Sequence, residues 1–231
     1  MNIIITGGSR GIGRETALEL SADRNNIILI TGRNEKALKE IAAKAAHSNI
    51  TWFVSDFSKG TRELAALANH VSSLFSITDI LINNAGLLVN RDFADLTEEE
   101  ERKVMEVNYF APANLIRHLL PTMHKGSHIV NISSMGGFQG SAKFRGLSCY
   151  SASKAAIACL TECLATELSD TGISVNCLAL GSVDTEMLNE AFPGYKAPVT
   201  SKQAGKFIAD FAVNGSSFFN GKVLPVALST P

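Results

Sequence analysis

The chain has 231 residues, of which 45% are hydrophobic and 19% are charged. This length and composition predict one folded domain over residues 1–231 and exclude an intrinsically disordered chain. The formal net charge is −1, and no apolar run reaches the roughly 20 residues of a membrane-spanning helix. We therefore expect neither nucleic acid nor a membrane as a partner.

The cysteines and histidines show no spacing typical of a metal site or a disulfide framework, so we expect neither. Cys159 and Cys163 lie one helical turn apart, and we expect both to be small apolar fillers. The chain enters an apolar segment at Ile3 without a positively charged leader. We therefore expect no secretory signal and a reducing, cytoplasmic setting.

Short apolar segments alternate along the chain with longer segments of helical periodicity. Strands are predicted at residues 2–6, 27–31, 50–55, 80–82, 128–132, 174–179 and 222–226. Helices are predicted at residues 11–22, 34–47, 61–74, 97–124, 151–170 and 201–213. Such alternation is typical of a parallel sheet covered by helices on both faces. The sequence therefore predicts a three-layer α/β fold, with a doubly wound parallel sheet of about seven strands.

A glycine-rich segment at residues 6–13 joins the first predicted strand to the first predicted helix. Glycines permit a tight turn, and the free N–H groups at a helix N-terminus attract an anion such as a pyrophosphate. An ordinary glycine-rich loop is the alternative interpretation. The candidate cofactor contacts in this segment are Gly7, Ser9, Arg10, Gly11, Ile12 and Gly13.

Arg33 follows the second predicted strand, where an NAD-specific site usually has an acidic residue bonded to the ribose. Its planar guanidinium group suits the 2′-phosphate of NADP(H), and Arg10 could supply a second positive charge. The alternative is that both arginines are solvated surface residues. We predict that NADP(H) is preferred over NAD(H).

Two polar segments follow the third and fourth predicted strands. Asp56 could accept a hydrogen bond from an adenine amino group, or it could cap a helix. The small residues of Asn83-Asn84-Ala85-Gly86 could let a nucleoside lie against the backbone, and Asn83 could tie neighbouring strands together. A simple turn is the alternative for this segment. Asp56, Asn84, Ala85 and Gly86 are candidate cofactor contacts.

The long predicted helix at residues 97–124 begins with Thr97 and Glu100, the pattern of a capping box. Pro112 lacks an N–H group, so it cannot donate to the carbonyl of Asn108. We therefore expect a local kink at which the main-chain oxygen of Asn108 is available to a water molecule. The alternative is that Pro112 merely bends a surface helix.

Ser134, Tyr150 and Lys154 are further candidates for chemistry. Ser134 lies at the end of the fifth strand, where its hydroxyl could donate to a substrate carbonyl or belong to a turn. Tyr150 and Lys154 are four residues apart and share one face of a helix. An ammonium group about 4 Å away could lower the tyrosine pKa, ordinarily about 10, by up to about three units. Such a pair also occurs by chance on solvated helices.

The segment 181–185 follows the sixth predicted strand, and its tight backbone could contact the far end of a dinucleotide. The glycine-rich segment, Arg33, Asp56, residues 83–86 and Ser134 likewise follow predicted strands. The carboxyl ends of parallel strands form one edge of a sheet, where ligands bind. We therefore expect these residues to gather around one crevice.

Over essentially its whole length, the sequence resembles the short-chain dehydrogenase/reductase superfamily. The matching motifs are TGGSRGIG at 6–13, NNAG at 83–86, Asn108, Ser134, YSASK at 150–154 and GSVDT at 181–185. The resemblance implies a Rossmann fold with strand order 3-2-1-4-5-6-7 and an NADP-dependent enzyme acting on CH–OH or C=O groups. It also implies a homodimer or homotetramer formed through the helices that contain Asn108 and Tyr150.

The resemblance further implies a catalytic tetrad of Asn108, Ser134, Tyr150 and Lys154. Ser134 would polarise a carbonyl, and Tyr150 would protonate its oxygen as NADPH delivers hydride to the carbon. Lys154 would hold the nicotinamide ribose and favour the tyrosinate. The main-chain carbonyl of Asn108 would anchor a water relay that returns protons to Lys154.

The motif at 181–185 would contribute Gly181, Val183 and Thr185 to the cofactor site, with Thr185 and the backbone of Val183 orienting the nicotinamide carboxamide. The sequence departs from the family pattern next to this motif. Leu180 precedes Gly181 where the family commonly has proline, so we expect a less rigid loop.

Two segments near the expected pocket are unusual in length. The interval between Ser134 and Tyr150 is longer than the family pattern. The segment 185–200 is short for a substrate loop, which predicts an open pocket. Phe192 and Tyr195 could line that pocket, or they could pack against the edge of the core.

We expect an NADPH-dependent reductase of a small-molecule ketone or aldehyde. Three substrate classes stay open: 3-oxoacyl thioesters on an acyl carrier protein, pteridine-like side-chain ketones and small xenobiotic carbonyls. Lys143 and Arg145 could attract an anionic carrier, or they could be solvated loop charges. The alternative function is an NADP(H)-binding regulator without turnover. Cys149 adjoins Tyr150, so we expect alkylation of its thiol to slow turnover.

Overall fold

The computed structural model describes residues 1–228. Its strands are β1 (Asn2–Thr6), β2 (Ile27–Gly32), β3 (Ile50–Val54), β4 (Thr78–Asn83), β5 (Met123–Ser134), β6 (Ser174–Leu180), β7 (Val183–Asp184), β8 (Val199–Thr200) and β9 (Val223–Val226). Its α-helices are α1 (Gly11–Leu20), α2 (Glu35–Lys44), α3 (Thr61–Leu74), α4 (Glu98–Met105), α5 (Ala111–Leu119), α6 (Ser148–Glu167), α7 (Glu186–Ala191) and α8 (Ser201–Asn214).

Seven of these strands form one parallel sheet in the order β3-β2-β1-β4-β5-β6-β9. The predicted doubly wound sheet is confirmed, and so is its strand order, because β9 is the seventh strand of this sheet along the chain. The short strands β7 and β8 pair only with each other within the described residues. Sequence analysis did not predict this small ribbon.

Both faces of the sheet are buried, which explains why its strands are continuously apolar. Ile3 and Ile5 of β1 belong to one core cluster, which includes residues of α1, α2 and α8. Ile4 belongs to the cluster on the opposite face, which includes residues of α3 and α5. All three isoleucines are completely buried, and each contributes about 1.5–3 kcal/mol to burial of apolar surface.

The helix predicted at 97–124 is divided into α4, a π-helical turn (Glu106–Phe110) and α5. The predicted capping box of Thr97 and Glu100 is present at its start. In the π turn, the N–H group of Ala111 donates to the oxygen of Glu106, five residues earlier. The expected irregularity next to Pro112 is therefore a widened turn. The predicted C-terminal end was wrong, because α5 stops at Leu119 and β5 begins at Met123.

A chain of buried hydrogen bonds fixes the centre of the sheet to α6. Asn83 Nδ2 donates to Asn131 Oδ1 at 2.8 Å, and Asn131 Nδ2 donates to Thr161 Oγ1 at 2.9 Å. The prediction that Asn83 ties neighbouring strands together is confirmed. These contacts set the position of α6, which carries Tyr150 in its first turn.

Three further findings concern the predictions made from composition and residue spacing. Between residues 1 and 228, no helix combines the length and the apolar character needed to cross a bilayer, and no group of three metal-ligating side chains occurs there. The expectation for Cys159 and Cys163 was wrong, because both thiols are on the exposed side of α6.

His128 is a buried, uncharged histidine that joins β5 to β6 and α8. Asn176 Nδ2 donates to its Nε2 at 3.0 Å, so Nδ1 carries the proton and donates to the oxygen of Ala212 at 2.9 Å. Burial lowers the pKa of His128, and the hydrogen bond to Ala212 only partly offsets this effect. The folded protein therefore binds a proton at this site less readily than the unfolded chain does.

We expect the free energy of unfolding to decrease as the pH falls below about 6.5, the ordinary pKa of histidine. This decrease should end once the pH is below the lowered pKa of folded His128. Urea unfolding between about pH 5 and pH 7.5 measures this slope. His128→Gln should unfold more easily at pH 7.5 but with a flatter pH dependence. His124, whose pKa is raised by Asp79, acts in the opposite direction in both proteins. Equal slopes for wild type and variant would contradict the prediction.

Candidate active site

A cavity of about 870 Å³ lies at the carboxyl edge of the sheet. The predicted site residues on its wall are Gly7, Ser9, Arg10, Gly11, Ile12, Arg33, Asp56, Asn84, Ala85, Gly86, Ser134, Tyr150, Lys154, Gly181, Val183 and Thr185. Gly13 and Asn108 are the two predicted site residues that do not line it. The expected gathering of strand-end residues around one crevice is therefore what the structure shows.

The glycine-rich loop forms one end of this cavity. Gly7 and Gly11 have φ values of 69° and 52°, in the left-handed region that favours glycine. A Cβ atom on Gly7 would lie 2.8 Å from the Cα atom of Ala85, so the backbone of the loop is in close contact with the backbone that follows β4. Helix α1 begins at Gly11 without a side-chain cap, which leaves its first N–H groups free for an anion. The loop therefore fits the pyrophosphate of a dinucleotide.

Gly13 has a packing role beneath the glycine-rich loop. A Cβ atom there would lie 2.4 Å from both the oxygen of Gly7 and Nδ2 of Asn84. Asn84 Nδ2 donates to the main-chain oxygens of Thr6 and Gly7 at 2.9 and 3.2 Å. Gly13 is therefore needed so that α1 can pack beneath the loop, and it does not line the cavity.

A second, basic cavity adjoins the loop and is lined by Ser9, Arg10, Arg33, Asn34, Glu35 and Lys36. The carboxylate of Glu35 is paired with Lys39 at 2.8 Å, which leaves a positive balance around the cavity. Its position beside the glycine-rich loop suits the 2′-phosphate of NADP(H).

Arg10 is bound to an acidic residue that sequence analysis missed. Its Nη1 and Nη2 atoms donate to the two carboxylate oxygens of Glu190 in α7, at 2.5 and 3.3 Å. One turn earlier, Glu186 accepts from Arg14 Nη1 at 3.2 Å. The signal was two acidic residues four apart in the segment after β6, but only the fold brings them to α1.

Asp56 caps a short helix, which is one of the two interpretations that the sequence left open, and it also lies on the cavity wall. Its Oδ1 accepts hydrogen bonds from the N–H group and the hydroxyl of Ser58, which caps a short 3₁₀ helix, and the residue also lines the cavity. Burial raises the pKa of Asp56, but the bonds from Ser58 and the charges of Arg33 and Lys59 outweigh it and lower the pKa overall. The carboxylate is therefore ionised and available as an acceptor.

Ser134 and Tyr150 are brought together because a glycine turn packs directly on α6. The turn (Met135–Gly137) follows Ser134, and a Cβ atom on Gly137 would lie 2.5 Å from the nitrogen of Ala155. A Cβ atom on Gly136 would lie 2.9 Å from the hydroxyl of Ser151. A larger side chain at Gly137 would meet the backbone of α6, so it would push β5 and α6 apart and separate the two hydroxyl groups.

Lys154 lies one turn after Tyr150, and its side chain is buried against the sheet. Its Nζ atom donates to the oxygen of Ile132 at 2.8 Å and lies 5.9 Å from the centre of the Tyr150 ring. The residue is only 4% exposed, and burial lowers the pKa of its ammonium group to about 8. The predicted pairing of the two residues on one face of a helix is therefore found.

The predicted lowering of the Tyr150 pKa is not found in the free protein. Burial raises the pKa of Tyr150, and hydrogen bonding to Ser134 only partly offsets this rise. The prediction rested on the attraction of the lysine charge, whereas burial disfavours the charged form of the phenol. Tyr150 is therefore a protonated phenol near neutral pH.

Asn108 lies behind the cavity wall. Its Oδ1 accepts from the N–H group of Leu87 at 2.7 Å, and its Nδ2 donates to the oxygen of Leu87 and the hydroxyl of Ser153, both at 2.9 Å. The side chain therefore positions the segment after β4 against α6. It touches α6 beside Tyr150, because the Ser153 hydroxyl donates to the oxygen of Tyr150 at 2.7 Å.

The part of the cavity beyond Tyr150 is mainly apolar. Its apolar lining includes Leu88, Phe144, Leu147, Met187, Phe192 and Tyr195. Phe192 and Tyr195 therefore line the pocket, which answers a question that the sequence left open. Lys103 of α4 also lines the cavity and was missed, because nothing in a solvated helical pattern distinguishes it.

Three other residues near the pocket have structural contacts instead. Lys143 donates to the oxygen of Phe138 at 2.7 Å, and Arg145 forms an ion pair with Asp92. The thiol of Cys149 points to the main-chain oxygen of Glu101 at 3.7 Å, and burial and the nearby Glu101 charge raise its pKa. None of the three lines the cavity. The expectation that Cys149 is a reactive thiol at the pocket is therefore not supported.

The chain is similar in sequence to known proteins. The family model described as short chain dehydrogenase matches residues 1–196. Dehydrogenase/reductase SDR family member 7B of Mus musculus is 37% identical over 196 residues, covering 80% of this chain and 58% of the relative. The chain therefore spans little more than half of that relative. An uncharacterized oxidoreductase of Staphylococcus saprophyticus is 30% identical over 221 residues, covering 94% of this chain and 92% of the relative.

Solved structures show the same fold. A short chain dehydrogenase from Burkholderia cenocepacia, determined in complex with NADP, is 26% identical, has a TM-score of 0.88, and the match covers 97% of this chain and 95% of that one. Since the family model covers most of the sequence and a close structural match extends over nearly all of it, this chain belongs to the short-chain dehydrogenase/reductase family.

Proposed function

We propose that this chain is an NADPH-dependent oxidoreductase that reduces a ketone or aldehyde to an alcohol. One observation carries the proposal: Ser134, Tyr150 and Lys154 lie on the wall of the same cavity as the glycine-rich loop. A carbonyl bound between the two hydroxyl groups would therefore also be next to a dinucleotide held by that loop.

The raised pKa of Tyr150 suits the reductive direction. A protonated phenol can donate its proton to the carbonyl oxygen, and the Ser134 hydroxyl can donate a hydrogen bond to the same oxygen. Bound NADPH would supply the hydride that the carbonyl carbon accepts. The product is an alcohol, and Tyr150 is left as a tyrosinate that the nearby Lys154 ammonium group stabilises.

Asn108 completes the proposed tetrad as a positioning residue. Its side chain is fully used in holding Leu87 and Ser153. Any role in a proton relay therefore belongs to its main-chain oxygen, which lies in the π turn.

The proposed preference for NADP(H) is supported by the basic cavity around Arg33, Arg10 and Lys36. A phosphate there would receive bidentate, charge-assisted hydrogen bonds from a guanidinium group. The residues proposed to hold the rest of the cofactor are the glycine-rich loop, Asp56, residues 84–86 and the segment 181–185.

The apolar wall beyond Tyr150 favours carbonyl compounds with hydrophobic substituents. Lys143 and Arg145 are engaged by neighbouring groups, which weighs against their attracting an anionic carrier protein. Of the three substrate classes that the sequence left open, we therefore propose an apolar small-molecule ketone or aldehyde. A regulator that binds NADP(H) without turnover would not need the acid and the lysine together.

We also propose a homodimer or homotetramer assembled through α5 and α6. Phe110, just before α5, is 47% exposed, and the outer side of α6 carries the small residues Ala152, Ala155, Cys159 and Cys163. The two exposed free thiols favour a reducing, cytoplasmic setting.

Tyr150→Phe should reduce kcat for carbonyl reduction by about 10²- to 10⁴-fold, because the general acid is lost. Its Kd for NADPH, measured by fluorescence titration, should stay close to the wild-type value. Tyr195→Phe is the matched control, since it removes another phenol that lines the cavity and bonds to Ser182. Equal losses in both variants, or undiminished turnover in Tyr150→Phe, would contradict the assignment.

Arg33→Ser should weaken NADPH binding by roughly tenfold or more, because a charged hydrogen bond to phosphate contributes about 1.5–3 kcal/mol. The Kd for NADH should change little, so the ratio of the two constants measures the effect. Arg24→Ser removes an exposed arginine between α1 and β2 and serves as the control. A similar loss of affinity for NADPH and NADH would show that Arg33 does not bind the 2′-phosphate.

The value of kcat/KM for reduction should fall as the pH rises through about 8, where Lys154 loses its proton. The neutral amine can no longer stabilise the tyrosinate or bind a ribose hydroxyl as a charged donor. Lys154→Arg should remove this alkaline decrease even where its rate is lower, because arginine stays charged. A wild-type profile that is flat to about pH 9.5 would contradict this role.

A further inference from the structure

The carboxylate of Glu190 binds the guanidinium group of Arg10 through two hydrogen bonds, as a phosphate group would. Both of its oxygens accept from the two terminal nitrogens of Arg10, at 2.5 and 3.3 Å. This parallel pair of hydrogen bonds is the arrangement that arginine also offers to a phosphate group. Arg10 cannot make both sets of contacts with the same two nitrogens.

Arg10 is also part of the basic cavity, together with Arg33 and Lys36. Glu190 is influenced by both arginines: the hydrogen bond from Arg10 lowers its pKa most, and the charges of Arg10 and Arg33 add to this effect. The carboxylate therefore lies at the border of the cavity assigned to the 2′-phosphate. Arg33 also lines this cavity. Within residues 1–228, no carboxylate forms an ion pair with Arg33 as Glu190 does with Arg10.

Glu190 belongs to α7, and the same short helix contributes to the substrate side of the main cavity. Met187 and Leu188 of α7 line that cavity, and so does Phe192, which follows the helix. The ion pair therefore connects the cofactor end of the site to the wall of the substrate pocket. On the opposite side, Asn90 Nδ2 donates to the oxygen of Ala191 at 2.9 Å, which holds the end of α7 independently of Arg10.

We propose that Glu190 is a specificity-determining residue that competes with the 2′-phosphate of NADP(H) for Arg10. NADP(H) displaces the carboxylate from Arg10, whereas NAD(H), which has an uncharged 2′-hydroxyl, leaves the ion pair intact. This inference rests on the proposed NADP(H) site.

The ion pair is mostly solvated, since the side chains of Arg10 and Glu190 are 41% and 63% exposed. Exposed pairs of this kind have small interaction energies, so the competition should change affinity by about two- to fivefold. Effects of this size are measurable by direct titration of the purified full chain.

Isothermal titration with NADP⁺, NAD⁺ and adenosine 2′,5′-bisphosphate tests the proposal. In Glu190→Gln, the Kd values for NADP⁺ and the bisphosphate should fall about two- to fivefold, and the Kd for NAD⁺ should not. Glu186→Gln is the matched control, because it removes the same charge from the same helix but is paired with Arg14. Glu186 lies beside Gly11 of the glycine-rich loop, so its removal should act equally on NADP⁺ and NAD⁺. An equal change in the ratio of the NADP⁺ and NAD⁺ Kd values in both variants, or no change in Glu190→Gln, would overturn the inference.

The Arg10→Gln background separates competition from simple charge repulsion. With Arg10 removed, Glu190→Gln should leave the Kd for NADP⁺ unchanged, because the carboxylate and the 2′-phosphate no longer compete for its guanidinium group. A persistent gain in that background would show that Glu190 acts on the phosphate through its charge alone and would overturn the competition. Failure of the wild type to bind NADP⁺ at all would overturn the proposed function together with this inference, whereas normal binding without the Glu190 effect would overturn the inference alone.

Discussion

The buried ammonium group of Lys154 is the constraint around which the site is organised. It is held by one hydrogen bond to the oxygen of Ile132, between a helix and the central part of the sheet. Removing a charged amine from water is costly unless a partner is provided, and here burial shifts its pKa to about 8. The group is thus kept close to losing its charge and will respond to any anion or polar ligand placed beside it.

The neighbours of Lys154 follow from the way its helix is held. The glycine turn after Ser134 packs on the backbone around Lys154 at distances that exclude a side chain. The hydrogen-bonded chain from Asn83 through Asn131 to Thr161 fixes the same helix from below. The strand ends and the helix are therefore positioned by contacts outside the cavity, which support the residues that face it.

The sequence predicted the sheet, its strand order and most of the cavity wall, because these depend on apolar periodicity and on where parallel strands end. It did not predict which groups contact each other across the fold. The pairing of Arg10 with Glu190 joins residues 180 positions apart, and the packing role of Gly13 depends on Asn84.

The direction of the Tyr150 pKa shift could not be predicted either. A sequence shows that a lysine is four residues away, but it does not show how far water is excluded from both groups. The irregularity at Asn108 was predicted from Pro112, yet its form as a π turn depends on how α4 and α5 are packed.

The small ribbon of β7 and β8 closes the base of the segment that carries α7. Val183 is paired with Val199 and Asp184 with Thr200, so the two ends of that segment are joined by main-chain pairing. Thr200 also forms a capping box with Gln203 at the start of α8, which packs against α1 so closely that a Cβ atom on Gly205 would lie 2.5 Å from the Cβ atom of Glu15. Residues 185–198 are consequently anchored at both ends by main-chain pairing, so a change of loop length between these anchors should leave the register of the main sheet unaltered.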